Sequence, residues 1–287
     1  MIVVNLQGGI GNQMFQYSFG RYLSRITGQT LFLNIEVYRK GFSNRDYDLD
    51  IFRLPDHEVG TLTMLHDRLL GTDQPIVRIS ERSFQYDAEL VGVFESYASD
   101  NTGDNKCNIL LSGYWQSYKY LQGIGSMLLN DFSFCNDLYG KWRILAEQID
   151  LQQSVMINVR RGDFLEKMDY HGVVDMDYLT SAISIIGKDV ADPFFYVFSD
   201  DIPWCKANIR GYRNMFFVDE SYYDDKYQYY LQLMVRCKHF IISNSSFCWW
   251  AAWLAPYDQK KVIAPVKWFT DTSLDARDLI PPDWTKI

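Results

Sequence analysis

Val155-Met156-Ile157-Asn158-Val159-Arg160-Arg161-Gly162-Asp163 is the stretch on which the fold turns. Its first five residues carry no charge and four are apolar, the pattern of a strand buried on both faces. Two arginines follow directly, so they sit at the carboxyl end of that strand. Downstream the alternation continues. A helix is expected over 176–186, a strand at Phe194-Phe195-Tyr196-Val197-Phe198 and a short helix near 201–208. Next come a strand at Met215-Phe216-Phe217-Val218, a helix over 224–236 and a strand at His239-Phe240-Ile241-Ile242. A Trp-rich helix over 245–254 and a strand at Lys261-Val262-Ile263-Ala264 close the series. Strands alternating with helices imply a parallel sheet covered on both faces. Such sheets hold ligands at the carboxyl ends of their strands.

Upstream a second α/β pattern appears. Ile2-Val3-Val4-Asn5-Leu6 reads as a buried strand, and Gln7-Gly8-Gly9-Ile10-Gly11-Asn12-Gln13 as a glycine-rich loop. Phe15, Phe19, Tyr22, Leu23 and Ile26 then recur at helical spacing, with Gly28 as the stop. Leu31-Phe32-Leu33-Asn34-Ile35 is a second strand. Residues 36–107 are polar and aromatic, with a weak helical pattern near 61–70, and are expected to form loops and short helices. Asn108-Ile109-Leu110-Leu111-Ser112-Gly113-Tyr114 is a strand; 117–150 is mostly helical, broken near 131–136. The expectation is an α/β chain of two Rossmann-like lobes, 1–150 and 151–287, whose parallel sheets face a central cleft and whose last segment packs back on the first lobe.

Composition narrows the function. A hydrophobic content of 47% over 287 residues fills real cores, and no apolar run reaches the length of a membrane span. The first residues have neither the basic flank nor the apolar core of a signal peptide. Five cysteines at irregular spacing read as reduced thiols in a cytoplasmic protein. A net charge of −8 argues against a nucleic-acid binder. It leaves room for an anionic ligand in one basic pocket. The 20 tyrosines and 8 tryptophans fit either a sugar ligand, whose C–H faces stack on rings, or simply an aromatic core.

Three strand ends carry chemistry. Arg160 and Arg161 offer forks that match phosphate oxygens, or they are surface arginines with Asp163 as counter-ion. Ser199-Asp200-Asp201 ends another strand. A carboxylate there either accepts from a guanine's ring N–H and amino group or caps the helix that starts near Ile202. Ser243-Asn244-Ser245-Ser246 leads into the Trp-rich helix, where open N–H groups form an anion site or a serine simply caps. Trp249, Trp250 and Trp253 read as packing residues. The combination suits a nucleoside diphosphate better than any one part does. In the glycine loop, Gly9 and Gly11 allow close backbone approach, with Asn12 and Gln13 as side-chain donors. The spacing is neither GxGxxG nor a Walker loop.

No metal site is expected. His57, His66, His171 and His239 form no HxH or HxxxH pattern. Of the two DxD triplets, Asp175-Met176-Asp177 is explained by capping and Asp48-Leu49-Asp50 by chance.

Together these segments resemble the α-1,2-fucosyltransferases of glycosyltransferase family 11. The glycine loop continued through Met14-Phe15-Gln16-Tyr17 is similar to that family's opening, and Gly113-Tyr114-Trp115-Gln116-Ser117 to a later segment. Arg160-Arg161-Gly162-Asp163-Phe164 matches most of HxRRGDY. Phe198-Ser199-Asp200-Asp201 and Ser243-Asn244-Ser245-Ser246-Phe247-Cys248-Trp249-Trp250-Ala251-Ala252 match two more, in order. The resemblance implies a GT-B fold and inverting transfer of L-fucose from GDP-β-L-fucose, without a cofactor or metal, to a galactose-terminated oligosaccharide or lipid-linked glycan. It implies that the second lobe binds GDP and the first forms the acceptor side. Arg160 would grip the β-phosphate, an acid of the pair Asp200 and Asp201 would hold guanine, and Ser245 and Ser246 would meet the diphosphate. Asn12 matches a glycine-loop asparagine that approaches the donor in protein O-fucosyltransferases. Asp163 is a candidate base or a partner that orients the arginines. His171-Gly172 is similar to a His-Gly of bacterial members. The family's motif histidine is Asn158 here, which keeps a donor and an acceptor but no proton chemistry near neutral pH. The setting implied is O-antigen or other surface-glycan synthesis at the cytoplasmic face of the inner membrane, with at most peripheral membrane contact.

Overall fold

The computed structural model describes residues 1–41, 43–55, 57–65, 74–99, 107–162 and 174–287. The chain divides into two compact units, Met1–Cys135 with Asp275–Leu279 and Asn136–Leu274 with Ile280–Ile287. The junction thus precedes the helix Gly140–Leu151, whereas the sequence reading put it at 150/151. Asp278 ties its short stretch into the first unit: it accepts from the Tyr86 N–H at 3.0 Å and pairs with Lys119 at 2.6 Å.

In the first unit, β1 (Ile2–Asn5), β2 (Leu31–Asn34), β3 (His57–Gly60), β4 (Ile76–Ser80) and β5 (Asn108–Ser112) form a parallel sheet in the order β3-β2-β1-β5-β4. Helix α1 (Ile10–Thr27) leaves β1 through the glycine loop and buries Met14, Phe15, Tyr17, Phe19 and Leu23. It stops at Gly28 in the left-handed conformation. The helix α2 (Glu36–Arg39) is a single turn. Residues 36–107, expected to be loops and short helices, also hold β3, β4 and the longer helix α3 (Ala88–Ser99). Both strands are sheet edges, and β4 is largely exposed, so neither shows the apolar run that marks a buried strand. Part of the pattern near 61–70 lies outside the described residues. Helix α4 (Gly125–Asp131) follows β5; its Asp131 is buried between the Tyr17 hydroxyl and Arg21.

In the second unit, helix α5 (Gly140–Leu151) leads into β6 (Gln153–Val159). Then come α6 (Met176–Asp189), β7 (Pro193–Ser199), α7 (Ile202–Asn208) and β8 (Met215–Val218). Next are α8 (Gln228–Arg236), β9 (His239–Ile241), α9 (Ser246–Leu254), β10 (Val262–Ala264) and β11 (Thr285–Lys286). The sheet is parallel, in the order β11-β10-β9-β6-β7-β8. Val155, Ile157, Leu179, Ile183, Val197 and Ile241 form its core, each side chain stabilising the fold by about 1.5–3 kcal/mol. Helix α8 starts four residues later than expected. Tyr227 stands at φ 54°, and the Asp224 carboxylate accepts from the Gln228 N–H at 2.8 Å, so the first turn is set there.

Each sheet contains one point where strand order reverses. It lies between β1 and β5 in the first unit and between β6 and β9 in the second. Loops that leave neighbouring strands in opposite directions open a crevice at such a point.

Candidate functional site

At the reversal in the second unit, Asn158 near the end of β6 holds three strands in register. Its Nδ2 donates to the Phe198 carbonyl on β7 at 3.4 Å, and its Oδ1 accepts from Ser243 Oγ beyond β9 at 2.6 Å. The side chain is almost fully buried and is spent on the scaffold. Two residues past each end of the Asn158–Ser243 bond lie Arg160 and Ser245. Arg160 Nη1 pairs with Asp200 Oδ2 at 2.8 Å, both side chains about one-quarter exposed. Ser245 is the N-cap residue of α9 but makes no side-chain capping bond. Asn244 is anchored by donating to the Trp268 carbonyl at 3.1 Å, and Ser246 is half-buried in the first turn of α9.

Arg161 is occupied differently. Its N–H donates to Asp200 Oδ1 at 2.9 Å and its Nε to Asp201 Oδ2 at 3.2 Å, while its guanidinium lies 3.9 Å above the Trp204 ring. That side chain is thus held against Asp201 and Trp204 at this edge. Asp201 also accepts from the Trp204 N–H at 3.1 Å, so it caps α7, as one of the two sequence readings held. Gly162 has no room for a side chain: a Cβ there would stand 2.6 Å from Asp200 Oδ2. Asp163 and His171 lie outside the described residues.

The sequence reading missed the tyrosines that hold this edge. The Tyr223 hydroxyl donates to the Ser199 carbonyl at 2.6 Å, and the Tyr230 hydroxyl accepts from the Ser199 N–H at 2.9 Å. Burial pushes Tyr223 up to about 12, so it stays a donor at physiological pH. Tyr178 bonds the Ile242 and Ile263 carbonyls at 2.6 and 3.1 Å. Tyrosine's helical placement is visible in sequence, but its hydroxyl's target is not. Trp249 and Trp250 are fully buried, as packing residues should be. Cys205, Cys237 and Cys248 are buried thiols, but Cys135 is exposed. Asp175 caps α6 through the Tyr178 N–H at 2.8 Å, which accounts for its DxD triplet. Among the described residues no three of His, Cys, Asp and Glu gather as a metal-binding group.

At the reversal in the first unit, Gly9 is the N-cap residue of α1, with open space where a side chain would be. Gly11 is buried inside the first turn. Asn12 is half-buried, and its Oδ1 accepts from Gln116 Nε2 at 2.7 Å. Gln13, expected as a ligand donor, is fully buried. Its Nε2 serves the carbonyls of Gly8 and Asp46 at 3.1 and 2.8 Å, and its Oε1 accepts from the Asp48 N–H at 3.0 Å. It ties the glycine loop down. Tyr38 does the same, its hydroxyl donating to the Gly8 carbonyl at 2.8 Å. Just past β4, Glu81 accepts from the N–H groups of Tyr114 and Trp115 at 2.6 and 2.9 Å. Burial raises its carboxyl to about 7.

Comparison with known proteins places this architecture. The sequence profile described as Glycosyl transferase family 11 matches residues 95–287. The chain is 30% identical to an alpha-1,2-colitosyltransferase of Escherichia coli, covering 100% of this chain and 99% of the relative. It is 27% identical to the O-antigen biosynthesis glycosyltransferase WbnK of Escherichia coli, over 92% of this chain and 93% of the relative. It is 24% identical to the galactoside 2-alpha-L-fucosyltransferase SEC1 of Bos taurus, over 89% of this chain and 64% of the relative. In structure it resembles the fucosyltransferase NodZ from Bradyrhizobium, with a TM-score of 0.52 at 13% identity, covering 89% of this chain and 92% of that one. POFUT1 in complex with GDP-fucose gives a TM-score of 0.52 at 12% identity over 88% and 93%. The two parallel sheets are of the GT-B type, and the chain belongs to glycosyltransferase family 11.

Proposed function

We propose that the chain transfers L-fucose from GDP-β-L-fucose, with inversion, to the 2-hydroxyl of a galactose-containing acceptor in O-antigen or related surface-glycan synthesis. One observation carries this reading. The Arg160 fork and the N-terminus of α9, where Ser245 makes no side-chain capping bond, stand at neighbouring strand ends, on either side of the sheet reversal. Both are suited to an anionic diphosphate. The acceptor oxygen attacks the anomeric carbon, the bond to the β-phosphate oxygen breaks, and GDP leaves. The hydroxyl proton passes to Asp163 or to solvent. Negative charge grows on the β-phosphate, and Arg160 with the α9 N–H groups stabilises it in place of a metal. Asp200 holds the guanidinium in place. A carboxylate has acceptor sites to spare, so Asp200 can also serve the guanine N–H groups. One relative, WbnK, is named for O-antigen biosynthesis, which supports a site of action at the cytoplasmic membrane surface. Among the described residues no helix is long and apolar enough to cross a membrane.

A second donor is favoured by a specific finding, the 30% identity to a colitosyltransferase. Colitose is the 3-deoxy counterpart of L-fucose, so the two readings differ in one hydroxyl. The test offers purified chain equimolar GDP-fucose, GDP-colitose and GDP-mannose with an array of galactose-terminated glycans. Mass and NMR analysis should show fucose α-linked to O2 of galactose. Preferential colitose transfer would establish the second reading, and no acceptor-dependent GDP release from any donor would reject both.

A further inference from the structure

We infer that Tyr227 is a base-stacking residue: its ring forms a wall against which the purine of the donor nucleotide rests, beside the carboxylate of Asp200. The inference rests on the GDP-sugar reading above and concerns the second unit alone. It starts from a mismatch between side chain and backbone. Tyr227 stands at φ 54° and ψ 24°, the left-handed conformation, in the position just before α8. That conformation suits glycine or asparagine, and a bulky side chain in it is strained. The turn itself does not call for a tyrosine. It is made by the Tyr227 N–H, which donates to the Asp224 carbonyl at 3.1 Å, and by the Gln228 N–H on the Asp224 carboxylate at 2.8 Å. Nor does burial offset the strain in full, because Tyr227 is 46% exposed. A strained residue from which its own fold gains little points to a role toward a ligand.

The ring stands where a base would rest. Residues 219–227 lead from the carboxyl end of β8 into α8, and it is at carboxyl ends that such a sheet holds its ligand. Tyr227 leans on Tyr223 and Tyr230, with ring centroids 5.5 and 6.1 Å away. Both of those rings are fixed through their hydroxyls to Ser199 at the end of β7, the residue before Asp200. Burial raises the Tyr223 phenol, and Tyr227 and Asp200 both add to the rise, so the three share one neighbourhood. Of the three rings Tyr230 is buried and Tyr223 half-buried, and Tyr227 faces outward. Nucleobases are held by two kinds of contact, hydrogen bonds at the ring edge and an aromatic face on the ring plane. In the reading above Asp200 offers the first to guanine. Tyr227 offers the second, on the same edge of the same sheet.

The test uses Tyr227→Asn and Tyr227→Phe in the full-length chain, titrated calorimetrically with GDP and with inorganic pyrophosphate. Asparagine accepts the left-handed backbone but has no ring, so the melting temperature should stay within about 2 °C as relief of strain offsets the lost ring contacts. GDP affinity should fall about tenfold in Tyr227→Asn, the low end of what one stacked base contributes, and hold in Tyr227→Phe. Pyrophosphate has no base, so its affinity should be the same in all three proteins. The guanine H8 resonance of GDP should move upfield on binding wild type, under the ring current of Tyr227, and move less on binding Tyr227→Asn. Equal GDP affinity in wild type and Tyr227→Asn would overturn the inference. So would GDP and pyrophosphate affinity falling together, which would mark a displaced loop, or an H8 shift indifferent to the ring. GDP bound with the Tyr227 signature but no sugar transferred from any donor would count against the proposed function and leave the stacking residue standing. A wild type that binds no GDP would overturn both.

Discussion

Two adjacent arginines have opposite surroundings, and their substitutions should separate cleanly. Arg160 meets Asp200 through Nη1 at the strand reversal, and the proposed transfer assigns it the leaving-group charge. Arg161 lies against Trp204 and Asp201, with its backbone N–H on Asp200. Arg160→Ala should lower kcat by on the order of 10²–10³ and change the melting temperature little. Arg161→Ala removes a stacked cation and one ion pair, so stability should fall by about 1–2 kcal/mol, while GDP affinity falls less than in Arg160→Ala. Urea unfolding and calorimetric GDP titration of both variants check this. Equal loss of GDP affinity in the two would mean that Arg161 binds phosphate after all. The doublet looks uniform in sequence because both residues follow the same strand; the positions of Asp201 and of Trp204 on α7 tell them apart.

The turn after β5 carries the clearest pH signature. Glu81 titrates near 4.5 when solvated, and burial in the fold raises it to about 7. The folded chain therefore keeps a proton that the unfolded chain gives up. Stability from this group is fully present below about 4.5 and is lost as pH rises through about 7, a fall on the order of 3 kcal/mol. The phenols that face it, Tyr114 and Tyr120, are pushed up by burial and stay neutral throughout that window. Denaturation of wild type at pH 5 and pH 8 should show the fall, and Glu81→Gln should flatten it. Wild type and variant with the same pH dependence would remove Glu81 as the source. This element also marks what the sequence can and cannot show. The strand Asn108–Ser112 and the following segment were legible from apolar runs and motif resemblance. Strand β4, which places Glu81, was not, because an exposed edge strand has no apolar period to read. Strand β6 and the parallel series after it were legible for the converse reason: strands buried on both faces leave continuous apolar stretches. Gln13 looked like a ligand donor because sequence shows a polar side chain in a glycine loop, not the two carbonyls and one N–H that consume it.

Across the molecule, both units solve the same problem in the same way. A polar side chain crosses each sheet reversal, Asn12 with Gln116 in one and Asn158 with Ser243 in the other, and braces the strand ends on which a ligand would rest. The protein as a whole carries a formal charge of −8, so its general field repels a nucleoside diphosphate. In the proposed reading attraction is then local, from Arg160 and from the first turn of α9, where Ser245 makes no side-chain capping bond. A fixed guanidinium and oriented N–H groups can absorb the charge that a divalent ion would otherwise neutralise. Transfer should therefore survive exhaustive treatment with EDTA, and added manganese should change kcat by less than about twofold. The same assay on Arg160→Ala gives the contrast: if a cation is all that is missing, manganese should restore little, because the described residues around Arg160 offer no cluster to hold it. Activity that vanishes on chelation and returns with manganese in the wild type would show that these strand ends do not carry the leaving-group charge alone.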